Sequence, residues 1–518
     1  MGADGIWSNG RKASKVLLKK AGFDRYKIMK RVARHENAVA HIYGMLFLYM
    51  AIAMFFPYLA ALYFNDDPRP WLFPLLLTAL IGAPLVLRYK SPENTRPTEA
   101  LFVVATAWFA VMVMGAIPFI LYGMPTVDAL FETMSGFTTT GSTIMTNIES
   151  WPRSLLFWRS FTQWLGGAGI IMIFVTILPI LGVGGRTLFK NEFPGLNVQN
   201  FSLRIQEESR KFHYIYLGLS GLQFGLLALT GIGFYDSLLV MFSTMPTGGF
   251  SPHTESIAYY QSPVVEWIVI VFMFLAATNF YLHFRAIAER NIRTYWKSAE
   301  FRTFTIIVVG ATFLILLLLW GKEFHGIEEG IRTSLFQVLS IVTSTGYATT
   351  DYALWSTGVL FVLMALMVIG GSTGSTAGGL KTARFLVSRK FVYASLYKTV
   401  HPRAIFYPKL DGRPIGQEAI SSLMAVVICY IGTALVSTTL LILMGVDPIT
   451  SMSGSVATLS NAGPGLGPIG PMGSFAALPD PAKLVLVFTM WAGRLEFLTV
   501  FVILTPVFWR ELLRYREH

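Results

Sequence analysis

Four short segments of the chain share a spacing of hydroxyl residues and glycine that suits a dehydrated monovalent cation. A serine stands six residues before a glycine at 135–141, 243–249 and 340–346, and an alanine replaces the serine at 457–463. Backbone carbonyls of such loops replace an ion's hydration shell when they converge on one axis. Glycine permits this geometry because it adopts positive φ values without a Cβ penalty.

The ion-binding residues that we predict from this pattern are the four glycines and the two residues before each of them. They are Thr139, Thr140, Gly141, Thr247, Gly248, Gly249, Ser344, Thr345, Gly346, Asn461, Ala462 and Gly463. The alternative is an ordinary helix end, where glycine is also common. Four segments in one register favour a site for a dehydrated monovalent cation, with no further cofactor.

A second segment of unusual composition holds five glycines and four hydroxyl residues. It consists of Gly370, Gly371, Ser372, Thr373, Gly374, Ser375, Thr376, Ala377, Gly378 and Gly379. Five glycines cost a helix on the order of 5 kcal/mol relative to alanine, so we expect the helix to break here. A broken helix in a membrane bundle lines a cavity and moves, whereas the alternative is a face for close helix packing. Leu380 stands where a phosphate-binding loop requires lysine, which excludes that motif.

Arg494 lies inside a predicted apolar helix over residues 484–508, where an ionisable side chain normally faces a cavity or a charged partner. Glu496 points to another face of that helix, so an ion pair would need a different segment of the chain. Gln163 precedes the small residues Gly166–Gly169, a pattern typical of close helix packing.

Four histidines, His213, His253, His283 and His325, show no metal-ligand spacing, and we expect them to be solvated near helix ends. No nucleophile–base set or nucleotide fingerprint appears either, so the chain is not predicted to be an enzyme.

The composition requires that these segments lie in a membrane. Of 518 residues, 53% are hydrophobic and 14% are charged, whereas soluble domains carry about 25% charged residues. Apolar runs long enough to span a bilayer occur at 42–64, 101–121, 264–281 and 304–320. The lone Cys429 excludes an intrachain disulfide.

The order of segments predicts an all-α integral membrane protein with four tandem M1-P-M2 units around a pseudo-four-fold pore. Each unit has a long helix, a short segment ending in the glycine loop, and a second long helix. Such re-entrant backbone is tolerated in a membrane only around a cavity or within protein. An extra helical pair at about 41–64 and 71–88 brings the expected total to ten spanning helices. The predicted boundaries are 1–40 (a basic segment), 41–90 (the extra hairpin), 91–205, 206–297, 298–410 and 411–518.

Positive charge is concentrated in a few places rather than spread over a surface. The net charge is +12, and the first 35 residues hold ten of the Lys and Arg residues, with further clusters at 285–302 and 381–413. Cytoplasmic loops collect such charge. We therefore predict a cytoplasmic N-terminus and no nucleic-acid partner.

The glycine segments resemble the four filters of the TrkH family of Trk-type potassium uptake proteins, from about residue 41 to the C-terminus. The resemblance rests on TTGST at 139–143, MPTGGFSP at 245–252, TSTGYATTD at 343–351 and SNAGPGLG at 460–467. The extra hairpin favours this family over its shorter relative KtrB. Glycine at all four filter positions implies a preference for potassium.

The same resemblance implies further features of regulation and assembly. The 370–379 segment would gate the pore, and Arg494, within the matching motif 493–496, would place a positive charge in the ion's path. A homodimer in the inner membrane, surrounded by lipid, would bind a cytoplasmic nucleotide-binding subunit resembling TrkA. Symport with protons or sodium, a sodium-permeable relative and, less favoured, a secondary transporter of an organic solute remain alternatives.

Overall fold

Helices form nearly all of the regular structure in the part of the chain that can be described. The computed structural model describes residues 25–89, 97–176, 201–324, 326–403, 408–495 and 497–513. Most of the predicted basic N-terminal segment, together with His325 and Glu496, lies outside these ranges. The described strands are Lys409–Leu410 (β1) and Arg413–Pro414 (β2), which pair antiparallel.

The described helices follow one another in the following order. They are α1 Arg25–Phe64, α2 Arg69–Arg88, α3 Pro97–Leu121, α4 Thr126–Phe137, α5 Arg153–Thr176, α6 Phe201–Leu229, α7 Phe234–Thr244, α8 Pro263–Ala276, α9 Phe280–Ala288, α10 Arg293–Lys297, α11 Ala299–Leu319, α12 Ile327–Val342, α13 Thr357–Ile369, α14 Thr382–Val400, α15 Gln417–Leu443, α16 Pro448–Leu459, α17 Asp480–Arg494, α18 Phe497–Leu504 and α19 Pro506–Leu513. Short 3₁₀ turns occur at Ile148–Ser150, Ser256–Tyr260, Tyr352–Leu354 and Gly467–Ile469.

Six of the described helices are long and apolar enough to cross a membrane, or seven if one bent pair counts as a span. They are Val39–Phe64, Arg69–Arg88, Thr98–Leu121, Lys211–Leu229, Ala299–Leu319 and Ala419–Leu443. This number is smaller than the ten that the sequence predicts. Three of the expected second helices are interrupted, and the second helix of the first unit, α5, is described only as far as Thr176.

The interruption between α8 and α9 was not predicted. The axes of the two helices differ by 94°, so the expected span over 264–281 is wrong as one straight helix. Asn279 begins the new helix direction, because its side chain accepts a hydrogen bond from the backbone N–H of Tyr281 at 2.8 Å. Asparagine is a preferred residue for such a cap.

The other two interruptions lie at the glycine-rich segment and near Arg494. Helix α13 ends at Ile369 and α14 begins at Thr382, which agrees with the break that the glycines predict. Helix α17 ends at Arg494 and α18 begins at Phe497. The continuous helix expected over 484–508 is therefore wrong.

The four short helices α4, α7, α12 and α16 lie at the centre of the fold. Their C-terminal residues are buried almost without exception, while the long helices expose many apolar side chains on the protein surface. The start of α16 is fixed by Asp447, whose carboxylate accepts hydrogen bonds from the N–H groups of Ile449 and Thr450. Pro448 follows at the first helical position, where its missing N–H costs nothing.

His283 is one of the histidines for which the sequence predicts solvation, and this expectation is wrong. The ring is only 4% exposed. Its Nδ1 lies 2.8 Å from the hydroxyl of Tyr295, and its Nε2 lies 2.9 Å from the carbonyl oxygen of Leu275. Both partners belong to neighbouring segments that the bend after α8 brings together.

Candidate ion-binding site

The backbone has the same unusual conformation in the loops that follow the four short helices. We call residues 139–141 loop 1, residues 247–249 loop 2, residues 344–346 loop 3 and residues 461–463 loop 4. The first residue of each loop has a positive φ although none is glycine: Thr139 (52°), Thr247 (56°), Ser344 (58°) and Asn461 (52°). The third residues, Gly141, Gly249, Gly346 and Gly463, have φ between 77° and 87°. Left-handed residues two apart turn successive peptide planes to the same side.

Equivalent hydrogen bonds hold the amides of the loops against the ends of the short helices. The N–H of the middle loop residue donates to the carbonyl five residues earlier in each case, as in Thr140 to Ser135 at 2.9 Å and Thr345 to Ser340 at 2.8 Å. The matching bonds in loops 2 and 4 run from Gly248 to Ser243 and from Ala462 to Ala457, both at 2.8 Å. Since the N–H groups are directed at the helices, the carbonyl oxygens remain available for an ion.

The four loops form a closed ring in chain order. A Cβ atom on Gly141 would overlap the carbonyl oxygen of Gly248, and one on Gly249 would overlap that of Thr345. A Cβ on Gly346 would lie 2.6 Å from the oxygen of Ala462, and one on Gly463 would lie 2.9 Å from that of Thr140. Each glycine therefore packs against the middle carbonyl of the next loop. Glycine is required at these positions by space as well as by φ.

A cavity of about 210 Å³ opens on one side of the ring. Gly141, Gly249 and Gly346 line its floor, and the segments after the loops, including Ser142, Ser251 and His253, line its walls. The ring is thus accessible to water-sized molecules from this side.

A buried ion pair that the sequence analysis missed stabilises these walls. Arg159 and Glu132 are 2% and 0% exposed, and the Nε and Oε1 atoms lie 2.6 Å apart. Glu132 also accepts hydrogen bonds from the Thr143 hydroxyl and the Ile144 N–H, both at 2.9 Å. Arg159 donates to the carbonyl of Ser251 at 2.8 Å. The pair therefore holds the segments that follow loops 1 and 2, and a charged residue in an apolar helix is the signal that could have identified it.

Gln163 contacts loop 2 directly, although the sequence predicts only helix packing around it. Its Nε2 donates to the carbonyl of Gly248 at 2.8 Å, and its Oε1 accepts from the N–H of Phe250 at 3.0 Å. Gly166 and Gly167 pack closely as predicted, because a side chain on Gly166 would overlap Phe137 and one on Gly167 would overlap Pro246, whereas a Cβ on Gly169 would have no described atom within 4 Å.

The glycine-rich loop, residues 370–379, packs against the ring loops and contributes no residue to the lining of the cavity. The N–H of Gly378 donates to the Ser344 hydroxyl at 2.6 Å, and the N–H of Gly379 donates to the carbonyl of Ser460 at 2.9 Å. The Thr376 hydroxyl donates to the carbonyl of Met245 at 3.0 Å. The segment thus contacts the residues of loops 2, 3 and 4 or their immediate neighbours.

Glu300 joins the glycine-rich loop to the start of α14 and was not identified from the sequence. It is 7% exposed. Its Oε1 accepts hydrogen bonds from the N–H of Thr373 at 2.6 Å and from the N–H of Ala383 at 3.1 Å. The bend after α8 adds a third contact, because the N–H of Phe280 donates to the carbonyl of Gly374 at 3.1 Å.

Arg494 faces the glycine-rich loop. The side chain is buried, and its Nη1 donates to the carbonyl of Thr376 at 2.8 Å. Its Nε and Nη2 have no hydrogen-bond partner among the described residues. The ion pair considered in the sequence analysis is therefore not found in this part of the chain, and the side chain of Glu496 lies outside it.

The donor atoms of the site are backbone oxygens rather than side-chain ligands. Within the described ranges, no group of three or more His, Cys, Asp or Glu residues could hold a metal ion. Carbonyl oxygens suit a hard monovalent cation that exchanges rapidly.

Comparisons with known proteins give a consistent set of relatives. The family model described as "TrkH: Cation transport protein" matches residues 74–509. The chain is 35% identical over 487 residues to the Trk system potassium uptake protein TrkH of Salmonella typhimurium, covering 92% of this chain and 100% of that protein. It is 32% identical over 492 residues to the Trk system potassium uptake protein TrkI of Halomonas elongata, covering 92% and 98%. The crystal structure of the potassium transporter TrkH from Vibrio parahaemolyticus has a TM-score of 0.84 and 32% sequence identity, covering 92% of this chain and 99% of that chain.

Proposed function

This chain belongs to the TrkH family of cation transport proteins, and we propose that it carries potassium ions across the inner membrane through the ring of loops 1 to 4. The observation that carries the proposal is the closed ring of backbone carbonyls, each next to a glycine of the neighbouring loop. The carbonyls of Thr139, Thr140, Ser344 and Thr345 accept no hydrogen bond from the described residues, so they are free to coordinate an ion. The membrane potential drives uptake, with about 2.3 kcal/mol per charge per 100 mV.

The architecture that we infer for transport has four M1-P-M2 units around this ring, preceded by the hairpin of α1 and α2. The short helices α4, α7, α12 and α16 are the P segments. Each follows a long helix after a turn of a few residues and ends in a loop. The cytoplasmic position of the N-terminus rests on the charge distribution alone.

The glycine-rich loop and Arg494 form the gate in this proposal. Support comes from the contacts of Thr376 and Gly378 with the ring and from the hydrogen bond between Arg494 and Thr376. Because this segment has several glycines and few apolar side chains, a change in its conformation requires little free energy. A cytoplasmic nucleotide-binding subunit resembling TrkA, acting on a homodimer, would move it.

Rubidium-86 uptake into proteoliposomes tests the proposal, with potassium or sodium as the unlabelled competitor. Uptake should be inhibited by potassium more strongly than by sodium. Gly141→Ser should weaken this preference, because a Cβ at residue 141 overlaps the Gly248 carbonyl. Flux that reverses at a potential set by the proton or sodium gradient would favour symport, and absence of rubidium uptake by correctly folded protein would contradict the proposal.

A further inference from the structure

We infer that Gln163 is a specificity-determining residue, because its side-chain amide hydrogen-bonds to one of the four middle carbonyls of the ring. The inference rests on the proposed function of the ring as a filter. The four carbonyls concerned belong to Thr140, Gly248, Thr345 and Ala462. Of these, only Gly248 accepts a hydrogen bond from the described residues, and the donor is Nε2 of Gln163 at 2.8 Å.

The orientation of the Gln163 amide is fixed by two opposite contacts. Nε2 faces a carbonyl, and Oε1 faces the N–H of Phe250 at 3.0 Å. A flipped amide would place a donor against a donor and an acceptor against an acceptor. The side chain is fully buried, so water cannot replace either hydrogen bond. Gln163 therefore bonds the peptide groups on both sides of Gly249.

The absence of a side chain at residue 248 is what makes room for this amide. A Cβ on Gly248 would lie 2.5 Å from Cδ, 2.6 Å from Oε1 and 2.8 Å from Nε2 of Gln163. In loops 1 and 3 the middle residue is a threonine, whose hydroxyl lies 2.7 Å from that of Thr138 or Thr343. Gln163 thus occupies, from another helix, the position that a local side chain fills elsewhere.

Because Gln163 bonds only one of the four middle carbonyls, the electric field that the carbonyls produce at a bound ion is not four-fold symmetric. A carbonyl oxygen has two lone pairs, and the one bonded to Gln163 has less electron density to offer to a cation. The hydrogen bond also resists inward movement of the Gly248 carbonyl. A small ion such as sodium requires that inward movement more than potassium does, so the contact favours potassium.

The test measures the ratio of the sodium inhibition constant to the potassium inhibition constant for rubidium-86 uptake in proteoliposomes, which is large when potassium is preferred. Gln163→Met keeps the volume and removes both hydrogen bonds, so the ratio should fall about tenfold, the value of one hydrogen bond. Gln337→Met is the matched control: Gln337 is fully buried in α12, but its Nε2 contacts the hydroxyl of Thr349 rather than a ring carbonyl. The control should keep the wild-type ratio.

Gln163→Glu supplies a readout that a purely structural role would not give. Its carboxyl donates a hydrogen bond to Gly248 only when protonated, so the ratio should rise as the pH falls from about 8 to about 5. A pH-independent ratio in this variant, or a wild-type ratio in Gln163→Met, would overturn the inference.

A second pair of variants applies if Gln163→Met does not fold. Gly248→Ala should abolish uptake, and adding Gln163→Ala should restore part of it by removing the overlap; no restoration would contradict the contact. Absence of uptake by the wild-type protein would instead count against the proposed function.

Discussion

The Nη1 atom of Arg494 donates a hydrogen bond to the backbone carbonyl of Thr376, a residue 118 positions earlier in the chain. The bond joins the end of α17 to the glycine-rich loop directly beside the ring. A hydrogen bond from a charged donor contributes roughly 1.5–3 kcal/mol. Arg494 therefore adds a contact from a distant helix to the hydrogen bonds that Glu300, Ser344 and Ser460 make with this loop and its flanks.

We expect Arg494→Ala to raise the rate of rubidium uptake about tenfold, because the variant loses this hydrogen bond and a positive charge near the ring. Arg494→Lys keeps the charge and serves as the control, with a smaller increase. A lower uptake rate in Arg494→Ala, with unchanged protein yield, would contradict the gating role.

Gly378→Ala should also increase uptake. A Cβ at residue 378 would overlap the carbonyl oxygen of Ser460, so the loop can no longer pack against the ring. Gly358→Ala on α13 is the control, because no atom lies within 4 Å of its added Cβ. Equal uptake rates in the two variants would show that the packed conformation does not restrict flux.

Glu132→Gln should lower the free energy of unfolding by about 3–5 kcal/mol, because Arg159 is left buried without its counter-charge. Thermal unfolding in detergent, followed by tryptophan fluorescence, measures the effect. The double variant Glu132→Gln/Arg159→Met should be less destabilised than the single one. Arg285→Gln disrupts an ion pair of similar type at the surface and should leave the unfolding temperature nearly unchanged.

We predict that the protein loses stability in acid because the carboxylate of Glu149 becomes protonated. Burial acts to raise the pKa of its carboxyl, but hydrogen bonds from Thr254 and the nearby His253 outweigh it, so the pKa lies below its usual value of 4.5. A lowered folded-state pKa stabilises the protein above the unfolded-state pKa, and this contribution disappears as the pH falls through the folded-state value.

The unfolding temperature of Glu149→Gln should accordingly fall less than that of the wild type when the pH is lowered from about 6 to about 3.5. At about pH 7 the variant should be the less stable of the two. Parallel curves over this range would contradict the contribution of Glu149.

The positions of the long helices and of the four loops could be predicted from the sequence, because both depend on local patterns. Apolar runs define α3 and α11, and the serine-to-glycine spacing defines the loops. The bend after α8 also has a local signal in Asn279, but the apolar run that continues through this residue masks it. Composition over about 20 residues does not detect a single capping residue.

The contacts between distant segments could not be predicted in the same way. Gln163 and Gly248 are 85 positions apart, and the burial of His283 depends on a partner beyond the bend. Nothing in the types of these residues distinguishes a partner of the ring from a packing residue. Only the folded backbone brings a donor within reach of one particular carbonyl.

The ring is closed by four loops of one chain, and this has a consequence for how it can change. In an assembly of four identical chains, every substitution in a filter is made four times at once. In the filter proposed here, a substitution alters one quarter of the surroundings of the ion, so stepwise mutation should give intermediate selectivities. Replacement of Gly141, Gly249, Gly346 and Gly463 one by one would show how many of the four loops must keep their glycine for ion transport.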